Sequence, residues 1–260
     1  MIKKRLDILL EEKGLAKSCT QAQALILAGR VEIRGRTDLK PGSLIPETAP
    51  VIVLSNPCPY VSRGGIKLEH ALKEFGVCVQ DRVALDIGAS TGGFTDCLLK
   101  HGAQKVYAVD VGRGQLDIHL RKDPRVVVME KTNARYLDPK NFQPKPSLVV
   151  IDVSFISLKK ILPIAAAVKE PSSSKGGCFP LPEGAAYPSE IIALIKPQFE
   201  AGPSKLKKGV VQDEKTRQEV TEDLKQFAQT LNLQTLQIIP SPIKGSKGNT
   251  EYLWHLRCSD

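Results

Sequence analysis

No two of the six cysteines are spaced as C-x-x-C, and the four histidines complete no zinc pattern. Cys19, Cys58, Cys78, Cys97, Cys178 and Cys258 lie far apart, as reduced and mostly buried thiols do, so no metal site is expected. No apolar run approaches the roughly 20 residues that a membrane-spanning helix needs. The opening MIKKRLDILLEEKG carries charge on both sides of a short apolar stretch, unlike a secretory leader, and a cytoplasmic location is the expectation. No internal repeat is evident.

What is present is ordinary globular material. The 260 residues suffice for one large domain and a small one, with 42% hydrophobic and 25% charged residues. The formal charge is +9, spread over both parts: residues 1–59 hold nine Lys/Arg against six Asp/Glu, and residues 60–260 hold 28 against 22. A basic balance points towards a polyanionic partner, weakly when taken alone.

The first sixty residues read as a compact α+β unit. Leu6, Leu9 and Leu10 lie at helical spacing between Ile2 and Gly14, and a second helix runs from about Thr20 to Ala28, capped by Ser18 or Thr20. Val31-Glu32-Ile33 and Val51–Leu54 read as strands around a Pro41-Gly42 turn, and Asn56-Pro57-Cys58-Pro59 reads as a linker. From Tyr60, strands and helices alternate. Val83–Ile87, Lys105–Asp110, Arg125–Val128, Leu148–Asp152 and Ile191–Ile195 are short β-branched runs of the buried parallel kind. Amphipathic stretches such as Phe94–His101 and Leu158–Val168 separate them, which predicts a doubly wound α/β sheet. A helix over Asp213–Leu231 and strands Gln234–Ile239 and Glu251–Leu256 close the chain, and Pro171–Pro188, rich in Ser, Gly and Pro, reads as a mobile loop.

The segment Leu85-Asp86-Ile87-Gly88-Ala89-Ser90-Thr91-Gly92-Gly93-Phe94-Thr95 follows a predicted strand and opens a predicted helix, where a glycine-rich ligand loop must sit. Its G-x-x-x-G-G spacing differs from the G-x-G-x-x-G that seats a pyrophosphate and better suits a ligand without phosphates. Asp110 ends the next strand, where a carboxylate can accept from both ribose hydroxyls of an adenosine. Asn133 and Ala134, after the third strand, are candidates for the adenine edge. Four charged residues fall near strand ends: Lys67, Asp152, Lys196 and Glu251. Asp152 and Lys196 punctuate runs otherwise devoid of charge, and a lysine among carboxylates can serve as a general base.

Five segments together resemble the TlyA (haemolysin A) family: Asp86–Thr95, Ser62-Arg63-Gly64-Gly65-Ile66-Lys67-Leu68, Asp152-Val153-Ser154-Phe155-Ile156-Ser157, Lys196-Pro197-Gln198-Phe199-Glu200 and Gly248-Asn249-Thr250-Glu251-Tyr252. The likeness covers essentially the whole chain. It implies an rRNA 2′-O-methyltransferase using S-adenosylmethionine, more specifically on a cytidine of large-subunit rRNA, with ribosomal RNA or a ribosomal subunit as partner and no membrane. It implies a Rossmann-like class I methyltransferase domain of FtsJ type over 60–260, with a mostly parallel seven-stranded sheet. Residues 1–59 would be a small α+β RNA-binding domain of the ribosomal-protein-S-four type, matched here by Arg5-Leu6-Asp7, Thr20-Gln21-Ala22 and Gly29-Arg30-Val31. The family's tetrad falls on Lys67, Asp152, Lys196 and Glu251. Its cofactor contacts fall on Asp86, Gly88, Ala89, Ser90, Thr91, Gly92, Gly93, Phe94 and Asp110, with Asn133, Ala134 and Asp152 beside them. Lys196 is expected as the base, placed by Asp152 and Glu251, with Lys67 orienting the nucleotide. Lys3, Lys4, Arg5, Arg30, Arg34, Arg36 and Arg63 are the expected phosphate contacts. The Pro171–Pro188 stretch is longer than in the family pattern, and the sequence ends soon after the last strand. Two other readings compete: a ribosome-binding factor without catalysis, which the four intact charged residues oppose, and a membrane-lytic haemolysin, which the absence of a spanning or cationic amphipathic segment opposes.

Overall fold

The computed structural model describes residues 3–16, 18–27, 30–33, 39–53, 58–168 and 189–258. The chain divides into two compact units, Met1–Pro57 and Cys58–Asp260. Arg34, Arg36 and the Pro171–Pro188 stretch lie outside the described residues.

The first unit contains β1 (Lys3–Arg5), α1 (Leu6–Glu12), α2 (Cys19–Leu27), β2 (Val31–Glu32), β3 (Leu44–Pro46) and β4 (Ile52–Val53). The helix expected from Ile2 starts only at Leu6, because Lys3–Arg5 pair antiparallel with Leu44–Pro46. Three cations in a first helical turn would oppose the positive end of the helix dipole, whereas Asp7 is favoured there. Asp7 is buried, and its ion pair with Arg5 at 2.7 Å holds its carboxyl down at about 2. Leu6, Leu10, Ala22, Ile26 and Val31 fill the small core.

The second unit is built on one seven-stranded sheet. Its strands are β5 (Val83–Ile87), β6 (Lys105–Val109), β7 (Val126–Met129), β8 (Leu148–Ile151), β9 (Glu190–Ile195), β10 (Leu233–Pro240) and β11 (Tyr252–Cys258). They lie in the order β10-β11-β9-β8-β5-β6-β7, parallel from β9 to β7, with β11 antiparallel to both of its neighbours. The order reverses between β5 and β8, and a doubly wound sheet opens its ligand crevice at the carboxyl ends of the strands beside that switch.

The pleat sorts each strand's residues between two cores. Leu85, Ile87, Val149, Ile151, Ala193 and Ile195 pack on one face with Leu162 of α6 (Leu162–Val168) and Leu224 of α7 (Glu214–Thr230). Ala84, Val150, Ile192, Leu194 and Leu253 pack on the other with Leu68 of α3 (Gly64–Phe75), Leu98 of α4 (Gly93–Lys100) and Leu120 of α5 (Ile118–Lys122). The helix expected over Leu158–Val168 is split into a 3-10 turn, Leu158–Lys160, and α6. Pro163 accounts for the break, since it lacks an N–H and tolerates only a first helical turn. No helix among the described residues is long and apolar enough to cross a membrane.

Candidate functional site

Strand parity assembles the charged residues. Leu148 and Val150 of β8, Ile192 and Leu194 of β9, and Leu253 of β11 face the core under α3 and α4. Asp152, Lys196 and Glu251 take the next place on that same face, just past the ends of β8 and β9 and just before β11. The register pairing Ile195 with Tyr252 also sets Lys196 opposite Glu251, one step beyond the ladder. Lys67 joins them from α3, which lies over this face.

Two ion pairs result. Lys196 Nζ lies 2.6 Å from Asp152 Oδ1 and donates to Ser154 Oγ at 2.9 Å. Lys67 Nζ donates to Glu251 Oε2 at 2.6 Å, and Gln198 Nε2 donates to Glu251 Oε1 at 3.3 Å. Glu251 thus serves Lys67 and Gln198 and not Lys196, which corrects the expectation from sequence, where the helix carrying Lys67 is not legible. All four charged groups line one cavity of about 370 Å³, together with Arg63, Gln198, Phe199, Lys244 and Ser246. Gln198 is buried, and its Oε1 has no hydrogen-bond partner within the protein. Gly245 permits the arrangement, because a Cβ there would lie 1.9 Å from Glu251 Oε1.

A second cavity, of about 420 Å³, adjoins the first and shares Gly88, Ser90, Asp152 and Ser154 with it. Asp110, Val111, Asn133, Ala134 and Phe155 line it. The Asp110 carboxylate accepts from Ser90 N at 2.8 Å and Gly112 N at 2.7 Å, which fixes it against the glycine loop. Asn133 spends its side-chain oxygen capping the next turn, accepting from Arg135 N at 3.1 Å. Ala89, Thr91, Gly93 and Phe94 line the first cavity only. Asp86 and Gly92 line neither. Asp86 is fully buried beneath the loop, where Thr95 Oγ1 donates to its Oδ2 at 2.7 Å and its Oδ1 has no partner within the protein. Burial above all, with Asp152 and Asp110 nearby, pushes its carboxyl up to about 7.

Of the expected phosphate contacts, Lys4 pairs with Glu12 at 2.7 Å and Glu47 at 3.2 Å, and Arg5 pairs with Asp7. Lys3 is exposed, and Arg63 is exposed at the rim of the first cavity. Ser154 and Gln198 escape sequence reasoning as individual residues although both stand in the family-like segments, each two places after a charged strand-end residue. That spacing is the signal that could find them. Nothing in the sequence marks Gly245.

A family model described as FtsJ-like methyltransferase matches residues 60–258, and one described as S4 domain matches residues 4–44. The Mycobacterium tuberculosis protein named 16S/23S rRNA (cytidine-2'-O)-methyltransferase TlyA is 42% identical over 97% of this chain and 89% of its own length. The chain belongs to the TlyA family of FtsJ-like methyltransferases. A Bacillus subtilis relative, "Putative rRNA methyltransferase YqxC", is 46% identical over 98% of this chain and 85% of its own. The solved structure "Putative hemolysin from Streptococcus thermophilus" superposes with a TM-score of 0.74 at 41% identity, covering 100% of this chain and 90% of that one. The FtsJ-like domain makes the chain an enzyme, which removes the reading as a factor without catalysis.

Proposed function

We propose that the enzyme transfers a methyl group from S-adenosylmethionine to the ribose 2′-oxygen of a cytidine in ribosomal RNA. The observation that carries this is the pair of adjoining cavities, one holding Asp110 and the other the Lys67–Glu251 and Lys196–Asp152 pairs, joined across Gly88 and Asp152. Asp110 and Asp152 lie close enough to Asp86, buried beneath the glycine loop, to add to the burial that holds its carboxyl up. Such a site suits a cationic ligand and repels a phosphate-bearing one. S-adenosylmethionine fits on both counts: its sulfonium is a cation, and its ribose hydroxyls can donate to the remaining lone pairs of Asp110. When bound, it supplies an electrophilic methyl group.

The chain's own residues handle the acceptor. Lys196 serves as the general base for the proton of the 2′-hydroxyl, while Asp152 and Ser154 fix its Nζ in place. Glu251 and Gln198 position Lys67, whose ammonium orients the nucleotide, and the free Gln198 Oε1 accepts a hydrogen bond from it. Phe155 is 91% exposed, left-handed at φ 62°, and packed against Phe199 at 4.9 Å, a platform on which an unstacked base can rest. Residues 60–260 perform the chemistry. Residues 1–59 add salt-dependent phosphate contacts through Lys3, Lys4, Arg5, Arg30, Arg34 and Arg36, joined by Arg63, and the exposed pairs of Lys4 are weak enough to exchange for phosphate. Such an enzyme works in the cytoplasm. Mapping 2′-O-methylation on rRNA from cells with and without the gene should show one cytidine that loses its methyl group, and identical maps would contradict the reading.

Two expected results concern the cofactor cavity. Asp110→Ala should weaken S-adenosylmethionine binding by roughly 1.5–3 kcal/mol, the scale of hydrogen bonds to a charged group; unchanged affinity by calorimetry would remove Asp110 from the site. Asp86, held up at about 7, should make that affinity rise with pH through neutrality, since a bound cation favours the ionised carboxylate. Without ligand the same group works the other way. The unfolded chain loses this proton near the ordinary carboxylate value and the folded one near 7, so Asp86's contribution to stability falls between those limits as pH rises. Asp86→Asn should flatten both profiles, and a wild-type affinity independent of pH would contradict the assignment.

A further inference from the structure

We infer that the methyltransferase unit carries its own grip on the RNA backbone, formed by two lysine-bearing turns at the rim of the acceptor cavity. The first is Lys207-Lys208-Gly209-Val210, closed by Lys207 N–H to Val210 O at 3.0 Å and Val210 N–H to Lys207 O at 3.1 Å. The second runs from Lys244 through the 3-10 turn Ser246–Gly248, closed by Gly245 N–H to Asn249 O at 2.8 Å. Each turn sets a lysine in left-handed backbone, Lys208 at φ 53° and Lys247 at φ 56°, a conformation that lysine seldom adopts.

The turns are fastened together from beneath. Asn249 is 2% exposed; its Nδ2 donates to Gly209 O at 3.0 Å and to Ser246 O at 2.9 Å, and its Oδ1 accepts from Val211 N at 3.2 Å. The tips therefore adjoin, and a Cβ on Gly209 would lie 3.1 Å from Lys247 Nζ. The second turn is also continuous with the acceptor cavity, since Lys244, Gly245 and Ser246 line it beside Glu251.

Charge selects the occupant. Lys207, Lys208, Lys244 and Lys247 are all exposed, and among the described residues none of them forms an ion pair. Lys205, close by in sequence, is paired with Glu219 at 2.6 Å. Four unneutralised ammonium groups on a pre-set backbone, flanking a cavity for a ribose, match the phosphates on either side of that ribose. The inference rests on an RNA acceptor and adds a second source of backbone contacts, within the methyltransferase unit itself.

The test measures rRNA binding by the full chain against salt concentration, for the wild type and for Lys207→Ala/Lys208→Ala/Lys247→Ala. A control triple, Lys73→Ala/Lys140→Ala/Lys145→Ala, removes the same charge from exposed positions elsewhere. The turn variant should bind at least about ten-fold more weakly, with a log–log salt slope shallower by about 2, close to 0.7 for each phosphate no longer neutralised on single-stranded RNA. Its melting temperature and S-adenosylmethionine affinity should match the wild type, and arginine at the three positions should restore binding. Wild-type affinity and slope in the turn variant, or an equal weakening in the control, would overturn the inference. If the turns govern binding but the wild type places no methyl on rRNA, the proposed reaction fails and this surface stands.

Discussion

Lys196→Ala should slow methyl transfer by about 10²–10⁴-fold at saturating RNA and cofactor, the usual contribution of a positioned base. Lys196 lines only the acceptor cavity, so the affinity for S-adenosylmethionine should change little. Lys196→Arg should fail as well. A guanidinium keeps its proton at any accessible pH, and its planar fork does not fit a position made for one ammonium between Asp152 Oδ1 and Ser154 Oγ. Single-turnover assays read the chemical step directly. An arginine variant that keeps most of its activity would leave Lys196 an electrostatic or orienting group, with proton removal passing to Asp152 or to solvent.

The second large effect is expected at Gly88. Its φ of +91° is disfavoured for any L side chain, and a Cβ there would lie 2.4 Å from the backbone oxygen of Asp152. A valine side chain at this position would enter space shared by both cavities, since Gly88 lines each of them. It would also collide with the backbone of Asp152, just past the end of β8. Both cavities share Gly88 and Asp152, so one substitution should disturb cofactor binding and acceptor geometry together. The expected outcome is a loss of S-adenosylmethionine binding of about 3 kcal/mol or more, in the range of severe single-site lesions, with circular dichroism reporting whether the fold survives. Binding within two-fold of wild type would show that the loop tolerates a side chain and does not cradle the cofactor.

How far the site can be read from the sequence depends on the kind of information each residue needs. Asp152 and Lys196 interrupt runs without charge, and period-two alternation alone puts them on one face of one sheet end. Glu251 needs the direction of β11, and its likeness to the family's last acidic residue supplies what local pattern cannot. The partnering is not legible. Lys67 reaches Glu251 because α3 lies across the sheet face, a tertiary fact with no local signal, since Gly64 and Gly65 open the helix and are poor helix formers. The first unit shows the same limit. Leu6, Leu9 and Leu10 announce a helix, yet its start is set by the strand pairing of Lys3–Arg5 with Leu44–Pro46, about forty residues away. Asn249 and Gly245 are silent in sequence because their roles, tying two turns and making room for a carboxylate, exist only once distant segments meet.

The most direct test of the central claim supplies purified full-length protein with S-adenosylmethionine labelled at the methyl group and with unmethylated rRNA, then digests the RNA to nucleosides. The label is expected in 2′-O-methylcytidine, and to vanish when Lys196→Ala replaces the wild type. Label in a base-methylated nucleoside, or none in the RNA while the protein binds both S-adenosylmethionine and rRNA, would contradict the account.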